Sequence, residues 1–483
     1  MLREVGFSAI YKLVPPAQLS RMCPSLLRLL GASGISAHLC SQPIELSKAM
    51  IRYIRSRGGK GRYLMRDPTV FVLKSPPPPE LKDVLKPSTS PRRLREVLGF
   101  SSSDTRYIFG ENRRRESPFA ILEEQPYSCV LDRLEVDAYY AGDAYKKLLE
   151  EIERVIRSRH PGRLKFNNMQ LKDFSDLYRD LSVKLAVIDE DAFNSSELAE
   201  AKYLSYVNGI SRLQLINYQS FMSKCGGDSF EYCVANIVSA LYFKAGCTPY
   251  YVWMPSMRYN PTLHKALYVG IGLVRKGNKI IKGVAYLMTH LGEVKSFAEE
   301  NFVLESERYE FSENEVESFI RKVLDKGRDY ITRAGEKAQL LVVFRTRMFH
   351  EEEARRLIGK WQIEGKFEKA LRRVFNKDWW TKYANSVLLA SVYKTKDTFG
   401  ADVAVEAVYK GGSGTWFVQL EGFENAAQLD WYSTTRDSRT PLLAYLYARS
   451  LDFASLNKQR VLPAPVGLAK NYAFWLKNSK PAS

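Results

Sequence analysis

Between residues 182 and 253 the sequence alternates strand-like and helix-like segments, which restricts this stretch to a small parallel sheet with helices on its faces. Ser182–Ile188 (SVKLAVI) reads as a strand and Ser196–Val207 as a helix closed by Asn208-Gly209. Arg212–Ile216 reads as the next strand, Phe230–Ala245 as a helix closed by Gly246, and Pro249–Trp253 as a further strand. Ligands of such sheets bind beyond the carboxyl ends of the strands, near helix N-termini.

Upstream, one helix stands out at 143–159. Asp143 is its expected N-cap, and Leu148, Leu149, Ile152, Val155 and Ile156 form one apolar stripe. Arg157 and Arg159 suit the negative end of the helix, and Pro161-Gly162 stops it. The clearest break is KSPPPPELKDVLKPSTSPRR at 74–93, read as a linker because its run of prolines favours extended geometry and cannot donate to sheet or helix. Residues 1–73 are therefore expected to stand apart. The triplet Arg113, Arg114 and Arg115 reads as a solvated face, with a phosphate contact as the other reading.

Length and charge narrow the choice of partner. A chain of 483 residues predicts two or three domains, and 24 Phe, 28 Tyr and 7 Trp are ample for buried cores. With 72 Lys+Arg against 54 Asp+Glu the formal charge is +18. An excess of that size favours a polyanion through counterion release, and nucleic acid is the commonest one. An acidic protein or lipid surface is the alternative. The cysteines, Cys23, Cys40, Cys129, Cys225, Cys233 and Cys247, are scattered without a C-x-x-C pair. Their dispersal argues against a disulfide framework and a zinc site, and fits a reducing cytosol. The histidines are equally dispersed. No apolar run reaches the roughly 18–20 residues needed to span a bilayer. Pro15-Pro16, Lys12 and Arg21 interrupt what would otherwise suggest a signal sequence at the start.

After residue 262 the order changes. Strands are expected at Ala266–Val274, Lys279–Met288 and Gly292–Phe297, a long helix at 313–334, a strand at Gln339–Arg345 and a helix at 350–373. Further strands lie near 385–394, 402–410 and 415–421, with a helix at 440–455. A three-strand meander followed by helix, strand and helix is the order of an RNase H-like fold.

Particular segments resemble the Argonaute/PIWI family. YCVANIVSALYFKAGCTPYYV (232–252) resembles the helix of the MID domain that meets the 5′-phosphate of a guide strand. Asn236, Ala240 and Lys244 fall on one face of it, with Ala240 replacing the family's amide. Taken alone, the segment also reads as a buried helix with a snorkelling lysine. KYLSYVNGISRLQLI (202–216) is similar to the family's helix, Gly-Ile turn and short strand, and matches Lys202 and Gln214 to phosphate contacts. Gln214 stands one residue further from the turn than usual, and Leu198 replaces a frequent tyrosine. ALYVGIGLVRKGNKIIKGVAYLMTHLGEV (266–294) resembles the opening PIWI hairpin, with Gly272 in the place of the first catalytic aspartate. LLVVFRTRMFHEEEARRL (340–357) resembles the strand ending in R-D-G, but reads Arg345-Thr346-Arg347. In TPLLAYLYARSLDFASLNKQRVLPAPVGLAKNYAFWL (440–476) the position of the family's last Asp or His falls on Lys470.

The resemblance covers roughly 120–476 and implies an α/β chain. A Rossmann-like MID domain is expected at 181–258 and an RNase H-like PIWI domain at 259–483, with an N-terminal α/β part at 106–180 packing on them. An extra N-terminal segment, 1–105, contains the proline-rich linker. No counterpart of the N and PAZ domains is found, so the match is to short Argonautes. Lys202, Gln214, Asn236 and Lys244 are the implied guide-phosphate residues, and Lys470, Arg275 and Arg345 the implied nucleic-acid backbone contacts.

Two-metal cleavage needs ligands that hold divalent ions about 4 Å apart. Gly272 supplies no ligand, Thr346 only a neutral hydroxyl, and Lys470 a positive charge where the metals would sit. Glu351, Glu352 and Glu353 read as offsets to a helix dipole, and Glu299 and Glu300 as stand-ins for a loop glutamate that has little use without the aspartates. The expectation is guide-directed recognition of a complementary strand without cleavage, with an RNA guide and a DNA target. No metal or cofactor for catalysis is expected; Mg²⁺ at the guide 5′ end is the one ion the resemblance allows. It further implies an accessory protein replacing the N and PAZ regions, and an effector, membrane-associated in one form, in antiviral or anti-plasmid defence in the cytoplasm. The alternatives are a guide-dependent nuclease whose ligands lie elsewhere, and a guide-independent basic protein binding nucleic acid or a membrane surface.

Overall fold

The computed structural model describes residues 91–479 except 161–163, 256–260, 277–279, 304–310, 329–336, 347–366, 368, 396–397, 410–411, 436, 454–455 and 457–460. Before residue 91 it describes 9–14, 16–22, 26, 42, 46–47, 49–51, 53–54, 62–63, 70–73, 81 and 85–89. The chain divides into two compact units. One combines Met1–Ser102 with Lys394–Asp430, and the other Ser103–Tyr393 with Trp431–Ser483. The expected continuous block 259–483 is thus interrupted, because residues 394–430 group with the N-terminal unit.

In the first unit Ala9–Leu13 pairs antiparallel with Val70–Leu73 on one side and Leu85–Thr89 on the other. Leu13, Leu19, Met50, Ile54, Leu73, Leu81 and Leu85 are buried together. Of the stretch 74–93 read as a linker, residues 74–80, 82–84 and 90 lie outside the described ones, and the remainder is not free of the fold. Leu81 and Leu85 sit in the core, Leu85–Thr89 is an edge strand, and Arg92–Arg93 pairs with the strand Val403–Tyr409. Pro87 is tolerated because an edge strand needs no donor on its outer side.

The second unit contains a four-stranded parallel sheet. Its elements are β1 (Leu134–Tyr140), α1 (Asp143–Arg159), β2 (Leu164–Gln170), β3 (Val183–Ile188), α2 (Ser196–Leu204), β4 (Leu213–Asn217) and α3 (Phe230–Lys244). Strand order is β4-β3-β1-β2, every neighbour parallel. All residues of β3 are buried, as a strand covered by helices on both faces must be. The sheet starts at Leu134, so the Rossmann-like layer takes in much of the 106–180 segment that the sequence set apart. Tyr251–Trp253 does not join it; this strand pairs antiparallel with Arg106–Ile108 instead. Gly142, not Asp143, is the N-cap of α1. Asn208-Gly209 does not close a helix either. Both residues have positive φ, 50° and 82°, and turn a hairpin between Tyr206–Val207 and Ile210–Ser211.

The sheet that follows uses β5 (Ala266–Lys276), β6 (Ile280–Thr289), β7 (Val294–Val303), α4 (Glu313–Lys326), β8 (Leu340–Thr346) and β9 (Val387–Lys394). Its order is β7-β6-β5-β8-β9, with β5, β6 and β7 antiparallel and β5, β8 and β9 parallel. This is the RNase H-like arrangement. Val316, Phe319, Ile320 and Val323 of α4 close one face of it. Ser312 and Glu315 form a capping box that starts α4. Two helices complete the unit, α5 (Arg439–Ser450) and α6 (Ala464–Asn478). The expected helix at 350–373 lies largely outside the described residues, as do Arg347, Glu351, Glu352 and Glu353.

The cysteines depart from expectation. Cys129 is disulfide-bonded to Cys247 across 118 residues, because the antiparallel bridge Ser128↔Thr248 puts them side by side. Cys225 is bonded to Cys233, across the connection into α3. The reducing-compartment reading rested on unpaired cysteines and loses that support. Among the described residues no helix is long and apolar enough to cross a membrane.

Candidate nucleic-acid interface

Two lysines meet where α2 and α3 end. Each lies in the last turn of its helix, and both are buried, with 7% of their surface exposed. Lys202 Nζ donates to the Leu213 carbonyl, and Lys244 Nζ to the Ser211 carbonyl at 3.1 Å. Burial, then the Lys244 charge, pushes the Lys202 amine well below the usual lysine range, and burial brings Lys244 down to about 8. They border a cavity of about 270 Å³ also lined by Ser211, Gln214, Asn471 and Trp475, and no acidic residue lines it. Lys184, equally buried, is different: Asp180 and Ser182 satisfy it. Two desolvated lysine amines without a carboxylate make a site that an anion would complete.

The structure brings Lys202, Gln214 and Lys244 to one cavity, but not Asn236. That residue stands two helical turns from Lys244, about 12 Å along the axis. Its Oδ1 accepts from the Leu456 amide at 2.6 Å, and its Nδ2 donates to the Tyr232 carbonyl at 3.0 Å. Asn236 therefore anchors a loop, and it borders a second cavity of about 280 Å³ with Asn217, Ser220 and Lys224. Gln214 lines both cavities. Leu198 is fully buried in the core beneath.

Sequence reasoning missed Arg212, which donates to the Lys244 carbonyl and so caps the end of α3. It also missed Tyr206, Phe193 and Trp475, which come to the cavity from separate elements. Only Arg212, a charge beside a short strand, left any signal.

Gly272, Thr346 and Lys470, matched by resemblance to the catalytic positions, also fall close together. In the parallel ladder Gly270 faces Phe344 and Ile271 faces Arg345, so Gly272 and Thr346 are neighbours one step on. Helix α6 is pressed onto β5 at the glycines. A Cβ at Gly270 would lie 2.1 Å from the Pro465 carbonyl carbon, and one at Gly272 would lie 3.2 Å from that of Ala469. Lys470, next to Ala469, is exposed. The side chains of Thr346 and Arg275 lie outside what is described. Arg345 does not serve as a surface contact. It is 3% exposed, with its guanidinium over the Phe367 ring, because its strand position faces the core. Glu299 is held by Lys282 at 2.7 Å and by the Tyr472 hydroxyl, and Glu300 by Lys322. Among the described residues no group of three His, Cys, Asp or Glu could hold a metal ion.

A four-stranded parallel α/β layer followed by an RNase H-like sheet, with a C-terminal helix seated on glycines, is an Argonaute/Piwi-like fold. The chain is similar to Drosophila Piwi, with a TM-score of 0.55 and 13% identity, over 96% of this chain and 60% of that one. It is also similar to Aa-Ago, solved with externally bound siRNA, with a TM-score of 0.50 and 12% identity, over 89% of this chain and 57% of that one. The chain therefore spans about three fifths of the length of these relatives. No protein-family model and no curated protein matches the sequence.

Proposed function

We propose that this chain is a guide-directed nucleic-acid-binding protein that grips the phosphorylated 5′ end of a guide strand and recognises a complementary target without cutting it. The observation that carries the reading is the pair of buried lysines facing a cavity with no acidic lining residue. A terminal phosphate dianion supplies the missing counter-charge, and charge-assisted hydrogen bonds are strongest where water is excluded. Sequence is then read by base pairing, while the protein senses backbone and shape. The formal charge of +18 supports the same class of partner.

The cavity does not fit a Mg²⁺ at the guide end. No carboxylate lines it to hold a hard cation, and two lysine amines stand where a cation would neutralise the phosphate. Non-cleavage rests on Gly272, Thr346 and Lys470, which offer no carboxylate at three adjoining positions. An RNA guide and a DNA target, an accessory protein covering the rest of the duplex, and an effector in antiviral or anti-plasmid defence complete the proposal. A binder without chemistry of its own needs a partner to turn recognition into an output.

The test is Lys244→Ala. Binding of a 5′-phosphorylated oligonucleotide should weaken by about 2 kcal/mol, the scale of a lost charged hydrogen bond. Binding of its 5′-hydroxyl counterpart should change less. Equal losses for the two would refute the phosphate site and leave a general basic surface.

A further inference from the structure

Both ends of α3 are tied by disulfides, and the two ties differ. Cys247 follows the end of the helix, and its link to Cys129 is flanked by paired backbone. The Ser128 amide donates to the Thr248 carbonyl at 3.1 Å, and the Thr248 amide to that of Ser128 at 2.8 Å. This pairing keeps the two sulfurs together whether or not they are bonded. Cys233 stands in the first turn of α3, and its partner Cys225 is only eight residues away in sequence. The connection that the bond closes has little else to hold it. Lys224, Gly226, Gly227 and Asp228 are exposed, and the glycines have no side chain to pack. Its short helix, Tyr218–Lys224, is anchored by Phe221, whose ring meets that of Phe230 edge-on at 5.7 Å. Cys225 and Cys233 both line the cavity of about 280 Å³, together with Lys224 and Gln214. The bond is therefore open to a small molecule entering that cavity.

We propose that Cys225–Cys233 is a site of thiol–disulfide exchange with small dithiols, and that its redox state sets whether residues 218–229 are held against α3. One thiolate of the reductant attacks the Cys225 sulfur, forms a mixed disulfide and releases Cys233 as a thiolate. The second thiol of the reductant, deprotonated, then displaces the Cys225 sulfur and leaves the reductant as a disulfide. Two electrons pass to the protein, and protons from solvent complete its two thiols. The direction of attack follows from the leaving group. The positive end of a helix favours a thiolate in its first turn, and a more acidic thiol leaves faster. Lys224, on the same cavity, favours the anionic attacker. Of the nearby acids, Glu231 is engaged by Arg159 at 2.7 Å and Asp228 is exposed to solvent. Cys247 lies past the negative end of the same helix, where a thiolate is disfavoured. Opening a bridge across eight residues also removes less chain constraint than opening one across 118, so the sheet and α3 keep their fold. The wall of the cavity at 218–229 is thus fixed when oxidised and released when reduced. This control does not require a phosphate in the two-lysine cavity.

The experiment treats the full oxidised chain with dithiothreitol, traps free thiols with N-ethylmaleimide over time and reads each cysteine by peptide mass. Cys225 and Cys233 should be trapped at least about threefold faster than Cys129 and Cys247. Hydrogen exchange of the amides at 218–229 should then speed up about tenfold, while β3 stays protected. Lys224→Gln should slow the opening. Cys225→Ser with Cys233→Ser should exchange at the fast rate with or without the dithiol. The proposal is overturned if Cys129–Cys247 opens first or at the same rate, or if exchange at 218–229 is unchanged after reduction. Failure of Cys225 and Cys233 to pair on oxidation would overturn it as well.

Discussion

Lys244→Met would separate the function of the buried amine from its effect on stability. The native cavity holds Lys244 at about 8, against 10.5 in an open chain. The unfolded chain therefore binds more protons than the folded one between those values, and wild-type stability rises with pH across that window. For this one group the gain from pH 7 to pH 9.5 is about 2 kcal/mol, from the linkage of proton uptake to unfolding. Methionine has no proton to lose, so the variant lacks that rise. At pH 7 it also escapes the cost of a buried charge, about 3 kcal/mol at 1.36 kcal/mol per pKa unit. Against that, the Ser211 carbonyl loses its 3.1 Å donor, at a cost of about 1–3 kcal/mol. The variant should thus be at least as stable as wild type at pH 7 and fall behind by pH 9.5. Urea unfolding at both pH values measures it. Parallel pH profiles for the two proteins would refute the reasoning, since they would mean that the amine is not held off its usual range by burial.

Phosphate-end binding should show the opposite sign. Lys244 is mostly charged at pH 7 and mostly neutral at pH 9, so affinity should fall about tenfold between them, which titration of a 5′-phosphorylated oligonucleotide would read. A guide, a matched labelled target and Mg²⁺ or Mn²⁺ should give no product; a cut at a fixed distance from the guide 5′ end, lost on chelation, would contradict non-cleavage. Gly270→Ala should destabilise by about 3 kcal/mol, the upper range for overpacking, because its Cβ meets the Pro465 backbone, whereas Gly467→Ala, with nothing within 4 Å, should not destabilise. Thermal melts of the two variants would decide.

Much of the architecture is legible from local pattern. Apolar periodicity and stop residues place α1, α3, β3 and the meander within a few residues, since those signals act over one or two turns of chain. The absence of acids at Gly272 and Lys470 is likewise a property of residue type, and Lys202 and Lys244 were found as sequence matches. What the sequence could not carry is anything set by contacts between distant segments. Tyr251–Trp253 reads as a strand, but only tertiary pairing with Arg106–Ile108 takes it out of the parallel sheet. Cys129 and Cys247 stand 118 residues apart and meet through one antiparallel bridge. Asn236 shares a helix face with Lys244, yet a loop amide claims it. Arg345 reads as a surface cation until the strand register turns it inward. The cavity itself draws on α2, α3, β4 and α6, and the desolvation that lowers two lysine pKa values exists only when those elements close over them. Residue types determined which charges were present; the tertiary fold decided which of them lost their water.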